Sequence, residues 1–444
     1  MGVPVAIIGA EGGDGGGEFA RPPFPASRQI LRKRVSARAI ASIPVDPATS
    51  LFPLRRGRSE CGIMSGMRNM TLTVTAAILA ATFCTASAAP VDRAFLKGLV
   101  AIPSESAKPE RVNEAMAFTR AYLEKRGVPC VVERDGPNDI LYASTRPGKV
   151  QDYLLCVHLD VVPAPDAKMY EPRIQGDRLY GRGACDDKGN ASVAVQTLVS
   201  LLGKASVGVI FTADEEIGGL TTATMVKRGY AARRFVLVVD AGAYKVTYAQ
   251  KGNSYITVRA VGKGGHSSRP WMHDNPIDKL VDAYAKFRAA WPKPTEDRWC
   301  DVVSATLVSA GEARNRIPDT AEMTINLRFV SKDGVERVCK ALKDVGLEIA
   351  KVVTTGVPVS SDPSAPEMRR LLVAMRAKWP DRNPSMGRML AATDARHFVD
   401  MGVPVAIIGA EGGGAHAACE WTSLKCLDEY ADLLERFILD APVK

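Results

Sequence analysis

The sequence predicts an α/β protein in which a mainly parallel sheet carries helices on both faces and a smaller α+β sandwich is inserted into the chain. Two observations lead to this class. Short, mainly apolar segments alternate with segments of helical periodicity, as is typical of parallel strands that are buried on both faces. Residues 254–362 differ in pattern, with alternating strands and two helices in about 110 residues, and this suggests a small α+β sandwich that forms a separate domain.

The first part of the main domain begins at residue 89. Helical periodicity over residues 91–101 and 109–127 predicts two helices. In an open α/β sheet the carboxyl ends of the parallel strands form the ligand-binding edge, so polar side chains just beyond them are candidates for a site. The strands are predicted at residues 140–144, 153–159, 207–213 and 235–240, and further helices at residues 189–202 and 221–227.

The insertion differs from its surroundings in pattern and ends in a linker rich in Pro and Ser. Its strands are predicted at residues 255–261, 302–308 and 322–329, and its helices at residues 276–291 and 333–345. The chain then resumes helix, strand and helix, with a buried strand at residues 403–408. We therefore predict a main domain formed by residues 89–253 and 363–444 around an insertion at residues 254–362.

The beginning of the chain stands apart from the globular pattern. Residues 1–13, MGVPVAIIGAEGG, repeat residues 401–413 without a difference, but the position that corresponds to His416 is Gly16. The copy therefore lacks a potential metal ligand and cannot form a second site. We interpret residues 1–63 as a non-native or disordered extension that arose from a misplaced start codon or a duplicated gene fragment.

Residues 64–88 have the pattern of a secretory signal peptide. Arg68 precedes an apolar stretch from Leu72 to Phe83, and Ala86-Ser87-Ala88 forms a cleavage site of small residues. Because the apolar stretch is too short for a comfortable transmembrane helix, we expect no membrane span. The pattern predicts an exported protein that is periplasmic or secreted.

The net charge gives little support to nucleic-acid binding. Ten Lys or Arg against five Asp or Glu in residues 1–88 account for +5 of the formal charge of +9. The remainder contains no basic stripe interleaved with aromatic residues, so we predict no nucleic-acid partner. With 46% hydrophobic and 24% charged residues, the composition is that of an ordinary soluble protein.

Two histidines and three carboxylates stand where a pair of divalent metal ions could be held. Most of them lie at or just past predicted strand ends, and the chain contains only five histidines, of which the first and the last belong to this set. Two imidazoles and three carboxylates are enough for two divalent metals when one carboxylate bridges them. The candidate ligands are His158, Asp186, Glu216, Asp240 and His416.

Each motif has a plainer explanation when it is taken alone. Asp186 could cap a helix, and the acidic triplet at residues 214–216 could be a solvated turn. Three acids at the end of a buried strand are costly without cations, however, and the joint spacing favours a metal site. Glu215 could then accept a proton beside its ligating neighbour, and Asp160 could orient His158 from the same strand end.

With these residues in order, the chain resembles the M20 family of co-catalytic zinc metallopeptidases. That family includes glutamate carboxypeptidases, dipeptidases, succinyl-diaminopimelate desuccinylase, aminoacylases and carboxypeptidase S-like enzymes. The resemblance extends from Val91 to the C-terminus and rests on four motifs in the family's order: His-Leu-Asp, Gly-Arg-Gly-Ala-Cys-Asp-Asp-Lys-Gly, Asp-Glu-Glu and Val-Val-Asp. It implies the dizinc exopeptidase fold and two Zn²⁺ ions per chain, with Co²⁺ or Mn²⁺ as substitutes.

The resemblance also implies how the ligands are shared. His158 and Asp240 would hold one metal, Glu216 and His416 would hold the other, and Asp186 would bridge them. A cis peptide bond would follow Asp186. Asp and Glu both occur in the family at the position of Asp240, so this residue is compatible with metal binding.

The inserted domain resembles the lid and dimerisation domain of the family. The segment Gly-Lys-Gly-Gly-His266-Ser-Ser looks like the one whose histidine stabilises the tetrahedral intermediate, commonly from the partner subunit. Asn315 and Arg328 match positions that bind substrate in similar enzymes, and a homodimer through this domain is implied. Nearer the C-terminus, Arg396 is a candidate for gripping a substrate carboxylate, with a structural ion pair to Asp394 as an equal alternative.

The resemblance implies hydrolysis of an amide bond in a short peptide or an N-acyl amino acid that bears a free carboxylate. Glu215 would be the general base, Asp160 would steady His158, and His266 would stabilise the oxyanion. One alternative is an N-acyl-amino-acid deacylase, and another is a catalytically inactive binding protein on the same fold. An M28-like aminopeptidase uses a similar ligand set, but that family lacks a lid domain between its last two ligands.

Overall fold

The computed structural model describes residues 89–440, so the expectations for residues 1–63 and 64–88 lie outside the described part. This part forms a nine-stranded sheet with helices on both faces and a separate four-stranded antiparallel sheet, and the predicted fold class is confirmed. No helix within residues 89–440 is long and apolar enough to cross a membrane.

The first half of the described chain begins with two helices and five strands, after which helices and strands alternate from α3 to β7. In chain order the helices are α1 Arg93–Val100, α2 Pro109–Glu124, α3 Lys188–Leu201, α4 Leu220–Lys227, α5 Pro276–Ala290, α6 Gly334–Asp344, α7 Pro366–Lys378 and α8 Leu424–Ile438. The strands are β1 Cys130–Asp135, β2 Asn138–Ser144, β3 Val150–His158, β4 Arg173–Gln175, β5 Arg178–Tyr180, β6 Val207–Thr212, β7 Ala231–Val239, β8 Lys245–Gln250, β9 Gly252–Val261, β10 Gly265–His266, β11 Val302–Ala310, β12 Arg316–Ile317, β13 Thr320–Phe329, β14 Glu348–Gly356, β15 Val359–Ser360, β16 Ser385–Met389, β17 Val405–Ile408, β18 Gly412–Gly413 and β19 Trp421–Ser423.

The main sheet has the order β1-β2-β6-β3-β7-β17-β8-β15, with β16 beside β8. Its centre, β6-β3-β7-β17, is parallel, whereas β1, β2, β8 and β15 pair antiparallel with their neighbours in this order. β1 was not predicted from the sequence. Its residues, CVVERD, are partly exposed because the strand lies at the edge, and three of the six are charged, so they lack the apolar pattern of the central strands.

Helices cover both faces of the main sheet. Successive residues of a strand point to opposite faces, and Leu155 of β3 accordingly packs with Leu198 of α3 and Leu434 of α8 in one core. Its neighbour Leu154 packs in a second core with Met225 of α4. The sheet is thus buried on both sides, which explains why its central strands read as continuous apolar runs.

The insertion contains a second sheet of order β11-β13-β9-β14, whose pairs are all antiparallel. α5 and α6 cover one face of it, where Ile256, Leu280, Phe287, Ile325 and Leu342 form a separate core. The sequence predicted three of the four strands. β14 was missed because it lies at the sheet edge and most of its side chains are exposed.

Candidate metal centre and active site

Four of the five candidate ligands follow the parallel strands at the centre of the main sheet. β6, β3, β7 and β17 are neighbours, so the segments beyond their carboxyl ends emerge side by side. His158 is the last residue of β3, Glu216 lies in a 3₁₀ turn after β6, and Asp240 directly follows β7. His416 lies in the loop beyond β17. Topology therefore brings together residues that are widely separated in sequence.

Asp186, the fifth candidate, lies between two sets of ligand atoms. His158 Nε2 is 2.9 Å from Asp186 Oδ1, and His416 Nε2 is 3.2 Å from Asp186 Oδ2. The same nitrogen of His416 is 3.0 Å from Glu216 Oε2. Each carboxylate oxygen of Asp186 thus faces a different histidine. This arrangement fits a bridging carboxylate.

The ligand atoms form two groups of three, within each of which all atoms lie within 4.8 Å of one another. Ligand atoms at ~2.0–2.2 Å from one zinc ion would lie within that distance of each other. The residues therefore fit two divalent cations that share one carboxylate. The groups are His158, Asp186 and Asp240, and Asp186, Glu216 and His416.

The structure contradicts both plainer explanations of the acidic motifs. Asp186 does not cap α3, because the helix begins at Lys188 and the N-cap position is occupied by Asp187, whose side chain accepts from the Asn190 side chain and makes no capping bond to a backbone amide of the helix. The acidic triplet is not a solvated turn, since Asp214 and the side chain of Glu216 are only 6% and 7% exposed. A cis peptide bond joins Asp186 to Asp187, as the resemblance implied.

Burial makes negative charge costly in this cluster. It raises the pKa of Glu215 to about 8 and that of Glu216 to about 6, and it raises the pKa of Asp240 well above its usual value. Burial acts on Asp186 as well, but hydrogen bonds from two histidines hold the pKa of Asp186 below its usual value. Cations would compensate the remaining carboxylates, and this is the electrostatic setting of a metal site.

Asp160 is fully buried, and it contacts both His158 and the turn that carries Glu215 and Glu216. The Nδ1 atom of His158 lies 3.0 Å from the carbonyl oxygen of Asp160 and 3.3 Å from Asp160 Oδ1. Its carboxylate also accepts hydrogen bonds from the backbone amides of Glu215 and Glu216, each at 3.2 Å, and from the Ser106 hydroxyl at 2.7 Å. One side chain therefore contacts a candidate ligand and the turn that carries another.

Arg396 is buried beside Glu215, with only 6% of its side chain exposed. It pairs with Asp394 at 3.3 Å and with Glu215 at 3.3 Å. The structural ion pair that the sequence left as an alternative is therefore present. Because two carboxylates already occupy its guanidinium, fewer donors remain for a substrate carboxylate.

The three candidates in the insertion are not brought to this cluster. His266 is exposed at the end of β10, and its Nδ1 is 2.8 Å from the Ser268 hydroxyl. Asn315 is close to it, since the Ser267 amide donates to the Asn315 carbonyl at 3.0 Å. Arg328 stands on β13, opposite Val302 of β11. Among the described contacts, none joins these residues to the candidate ligands.

Glu420 contributes to the site without having been singled out from the sequence. Its buried carboxylate accepts hydrogen bonds from the backbone amides of Gly183, Cys185 and Asp186, each at 2.9 Å, and pairs with Arg182 at 2.6 Å. It thereby holds the loop that presents Asp186. The signal was present, because Glu420 is an acid that closes an otherwise small and apolar loop after the last candidate ligand.

Residues 154–440 match the model of peptidase family M20/M25/M40. The chain belongs to this family. Membership makes this M20 protein a metallohydrolase of peptide or amide bonds, and it agrees with the two groups of candidate metal ligands. The matched range includes all five of these ligands.

The M20 protein is similar to relatives with different named activities, and its fold is similar to that of solved structures. It is 27% identical over 333 residues to succinyl-diaminopimelate desuccinylase from Rhodospirillum centenum, covering 68% of this chain and 85% of the relative. It is 24% identical over 372 residues to carboxypeptidase G2 from Pseudomonas sp., covering 78% and 88%. Its fold is similar to that of the aminopeptidase PepT from Bacillus cereus, with a TM-score of 0.66 and 18% identity over 78% of this chain and 96% of that one.

Proposed function

We propose that this M20 protein is a dizinc exopeptidase, of the carboxypeptidase or dipeptidase type. Its substrate would be a short peptide or an N-acyl amino acid that bears a free carboxylate. The position of Asp186 carries the proposal, because its two oxygens face His158 and His416 on opposite sides. A carboxylate placed in this way, together with Glu215 as an acid outside both groups of ligands, supports hydrolysis at a pair of metal ions.

The proposed ligand sets follow the two groups of side chains. His158 and Asp240 would hold one ion, Glu216 and His416 would hold the other, and Asp186 would contribute to both. Zinc suits a set of imidazole and carboxylate ligands, and Co²⁺ or Mn²⁺ could replace it. When bound, the ions supply the Lewis acidity that activates water and polarises the amide carbonyl.

Glu215 is the proposed general base. Its side chain is 13% exposed and its neighbour in sequence, Glu216, points to His416, so the two acids face different partners. Burial raises the pKa of Glu215 towards neutrality, which suits a group that takes up a proton and releases it again. Glu215 would accept the proton of the attacking water and return it to the leaving amine.

We also propose a homodimer that forms through the insertion, with His266 as the donor that stabilises the oxyanion. The edge strand β11 supports this idea, since residues 304–310 are exposed and include Leu307 and Val308, which are 69% and 68% exposed. An exposed apolar edge strand is a template for pairing with another strand. Asn315, which directly precedes the β12 strand that pairs with β10, and Arg328 would bind substrate.

The relatives define the substrate classes to compare. Carboxypeptidase G2 and the desuccinylase support two related reactions, namely release of a C-terminal amino acid and removal of an acyl group from an amino acid. The second reaction is the alternative enzyme function. A binding protein without activity is the alternative outside the enzymes, and the candidate base at Glu215 argues against it.

A hydrolysis screen of the zinc-loaded protein tests the proposal. The panel contains dipeptides, N-acyl amino acids and folyl-type glutamates, each beside the same compound with its carboxylate blocked as an amide. We expect turnover of at least one free acid and much slower turnover of its blocked partner. If two zinc ions are bound but no compound is cleaved, the result favours the alternative of a binding protein.

Export through residues 64–88 remains part of the proposal, and cleavage is expected after Ala88. Expression of the chain from Met64 in a bacterial host tests this point. N-terminal sequencing of the periplasmic fraction should begin at Ala89. A protein that stays in the cytoplasm with its leader intact would contradict export.

A further inference from the structure

We propose that Asp394 and Arg396 form a positioning unit that fixes the carboxylate of Glu215 for proton transfer. The inference rests on the proposed role of Glu215 as general base. It gives Arg396 a task that differs from binding the substrate carboxylate. It also gives a task to Asp394, which the sequence assigned only as a partner of Arg396.

The guanidinium of Arg396 contacts two carboxylates through two different nitrogens. Nη1 lies 3.3 Å from Glu215 Oε1, and Nη2 lies 3.3 Å from Asp394 Oδ1. Because the guanidinium is planar and its donors have fixed directions, the pair with Asp394 sets the direction of the donor that meets Glu215. A lysine ammonium could not hold both partners in this way.

Asp394 is in turn held by the scaffold of the main domain. It is 2% exposed, and its Oδ2 accepts hydrogen bonds from the hydroxyls of Thr212 at 3.1 Å and Thr222 at 2.5 Å. Thr212 is the last residue of β6, and Thr222 lies in the first turn of α4. With Oδ2 engaged by both hydroxyls, Oδ1 remains for Arg396. The unit is therefore anchored to regular structure on both sides of the turn that carries Glu215.

Two glycines leave the space that the unit occupies. A Cβ on Gly219 would lie 1.9 Å from Asp394 Oδ1 and 2.6 Å from Arg396 Nη2, and Gly219 has a φ of +65°. A Cβ on Gly356, the last residue of β14, would lie 2.7 Å from Arg396 Cδ. Backbone thus encloses Arg396 from the main domain and from the insertion. Enclosure of this kind restricts the side chain to few rotamers.

The unit completes the fixation of Glu215. Asp160 accepts a hydrogen bond from the Glu215 backbone amide at 3.2 Å, which fixes the start of the residue but leaves its side-chain torsions free. Arg396 fixes the other end. Proton transfer needs heavy atoms within hydrogen-bond reach in a defined direction, and a misplacement of about 1 Å can cost roughly 10²-fold in rate. Glu215 without Arg396 would be a base in the wrong orientation.

Steady-state kinetics of zinc-loaded Arg396→Ala, Arg396→Lys and Asp394→Asn, on a substrate found by the screen, test the inference. We expect kcat to fall about 10²-fold in Arg396→Ala with KM within a few-fold of wild type and about two zinc ions still bound. The kcat of Arg396→Lys and that of Asp394→Asn should fall by a smaller factor than the kcat of Arg396→Ala. Added methylguanidinium should restore part of kcat in Arg396→Ala and none in Glu215→Gln.

Arg436→Ala is the matched control for loss of a buried arginine. Arg436 is 7% exposed and pairs with Asp432 within α8, so its removal should lower the melting temperature and leave kcat unchanged. The inference is wrong if Arg396→Ala raises KM at constant kcat, which would assign Arg396 to the substrate. It is equally wrong if methylguanidinium restores nothing, or if zinc is lost together with activity. An inactive wild type would instead refute the proposed function itself. The activity of the wild type is therefore measured first, before the variants.

Discussion

The carboxylate of Glu420 accepts a hydrogen bond from the backbone amide of Asp186 at 2.9 Å, although 234 positions separate the two residues. The same carboxylate pairs with Arg182, and both side chains are essentially inaccessible to solvent. The loop that carries Asp186 is therefore held by the segment that carries His416. The candidate metal centre is complete only when the last part of the chain has joined the first.

Glu420→Gln should weaken both the fold and metal binding. It leaves the charge of Arg182 buried without its partner, a change that typically costs ~3–5 kcal/mol. The loop of Asp186 would lose part of its support, and we expect zinc affinity to fall roughly 10–100-fold, as for other residues that orient metal ligands. Thermal unfolding and competition with a chelator measure the two effects.

Glu435→Gln, which removes a surface pair with Lys204, should cost less than ~1 kcal/mol and leave zinc affinity unchanged. Equal behaviour of the two variants would refute the role of Glu420.

The variants Glu215→Gln and Glu216→Gln should distinguish the roles of the two adjacent acids. Glu215→Gln removes the proposed base, so kcat should fall by about 10²–10⁴-fold while about two zinc ions remain bound. Glu216→Gln removes a proposed ligand, so its zinc content should fall towards one ion per chain. Metal analysis beside kinetics distinguishes them. Loss of zinc from Glu215→Gln would contradict its role as base.

The stability of the metal-free protein should fall as the pH rises from about 5 to 9. Burial raises the pKa of Glu215 to about 8 and of Glu216 to about 6, and the hydrogen bond to Asp186 raises the pKa of His416 to about 9. In each case the pKa of the group in the folded protein lies above its ordinary value. The folded state therefore binds the proton more tightly than the unfolded state. The resulting contribution to the free energy of unfolding is complete when the pH is below the ordinary pKa and is lost as the pH rises through the pKa of the folded protein. Zinc requires deprotonated ligands, so the gain in melting temperature on adding zinc should increase over the same range. Melting curves at several pH values, with and without zinc, check this, and parallel curves would contradict it.

Charge on the exposed edge of β11 should prevent dimerisation. We expect wild-type protein to be a dimer by light scattering and Leu307→Lys combined with Val308→Glu to be a monomer with an unchanged fold. Val373→Lys, at an apolar residue of α7 that is 65% exposed, provides the control and should remain a dimer. If His266 acts across the interface, the monomer should also lose most of its kcat. A monomeric wild type would refute the dimer.

Deletion of residues 1–63 should leave activity and melting temperature unchanged. The copy of residues 401–413 at the start of the chain has Gly16 where His416 stands and Ala20 where Glu420 stands. It therefore lacks both the ligand and the residue that holds the Asp186 loop. Kinetics and thermal unfolding of the truncated protein check the expectation. A truncation product that does not fold would show that the segment is needed.

The sequence predicted those features that depend on local pattern. The central strands of the main sheet contain continuous apolar runs, and most of the candidate ligands follow them, so the meeting of these ligands at one edge could be inferred from parallel topology alone. The edge strands β1 and β14 could not be predicted, because exposed residues at a sheet edge lack a continuous apolar pattern.

Contacts between distant polar residues were also beyond the sequence. The hydrogen bonds of Glu420 and the contact of Arg396 with Glu215 join segments about 180 to 240 positions apart, and no spacing rule connects them. Arg396 could equally have faced a substrate or Asp394. The structure shows that its guanidinium contacts both Asp394 and Glu215, in a space bordered by Gly219 and Gly356.

The two histidines of the centre differ greatly in their access to water. His158 is 2% exposed, whereas His416 is 56% exposed on a loop of small residues. An ion held by Glu216 and His416 would therefore exchange with the surrounding solution more readily than one held by His158 and Asp240. The centre would load and unload in sequence, and scarcity of metal would leave it half filled with the inner ion still in place.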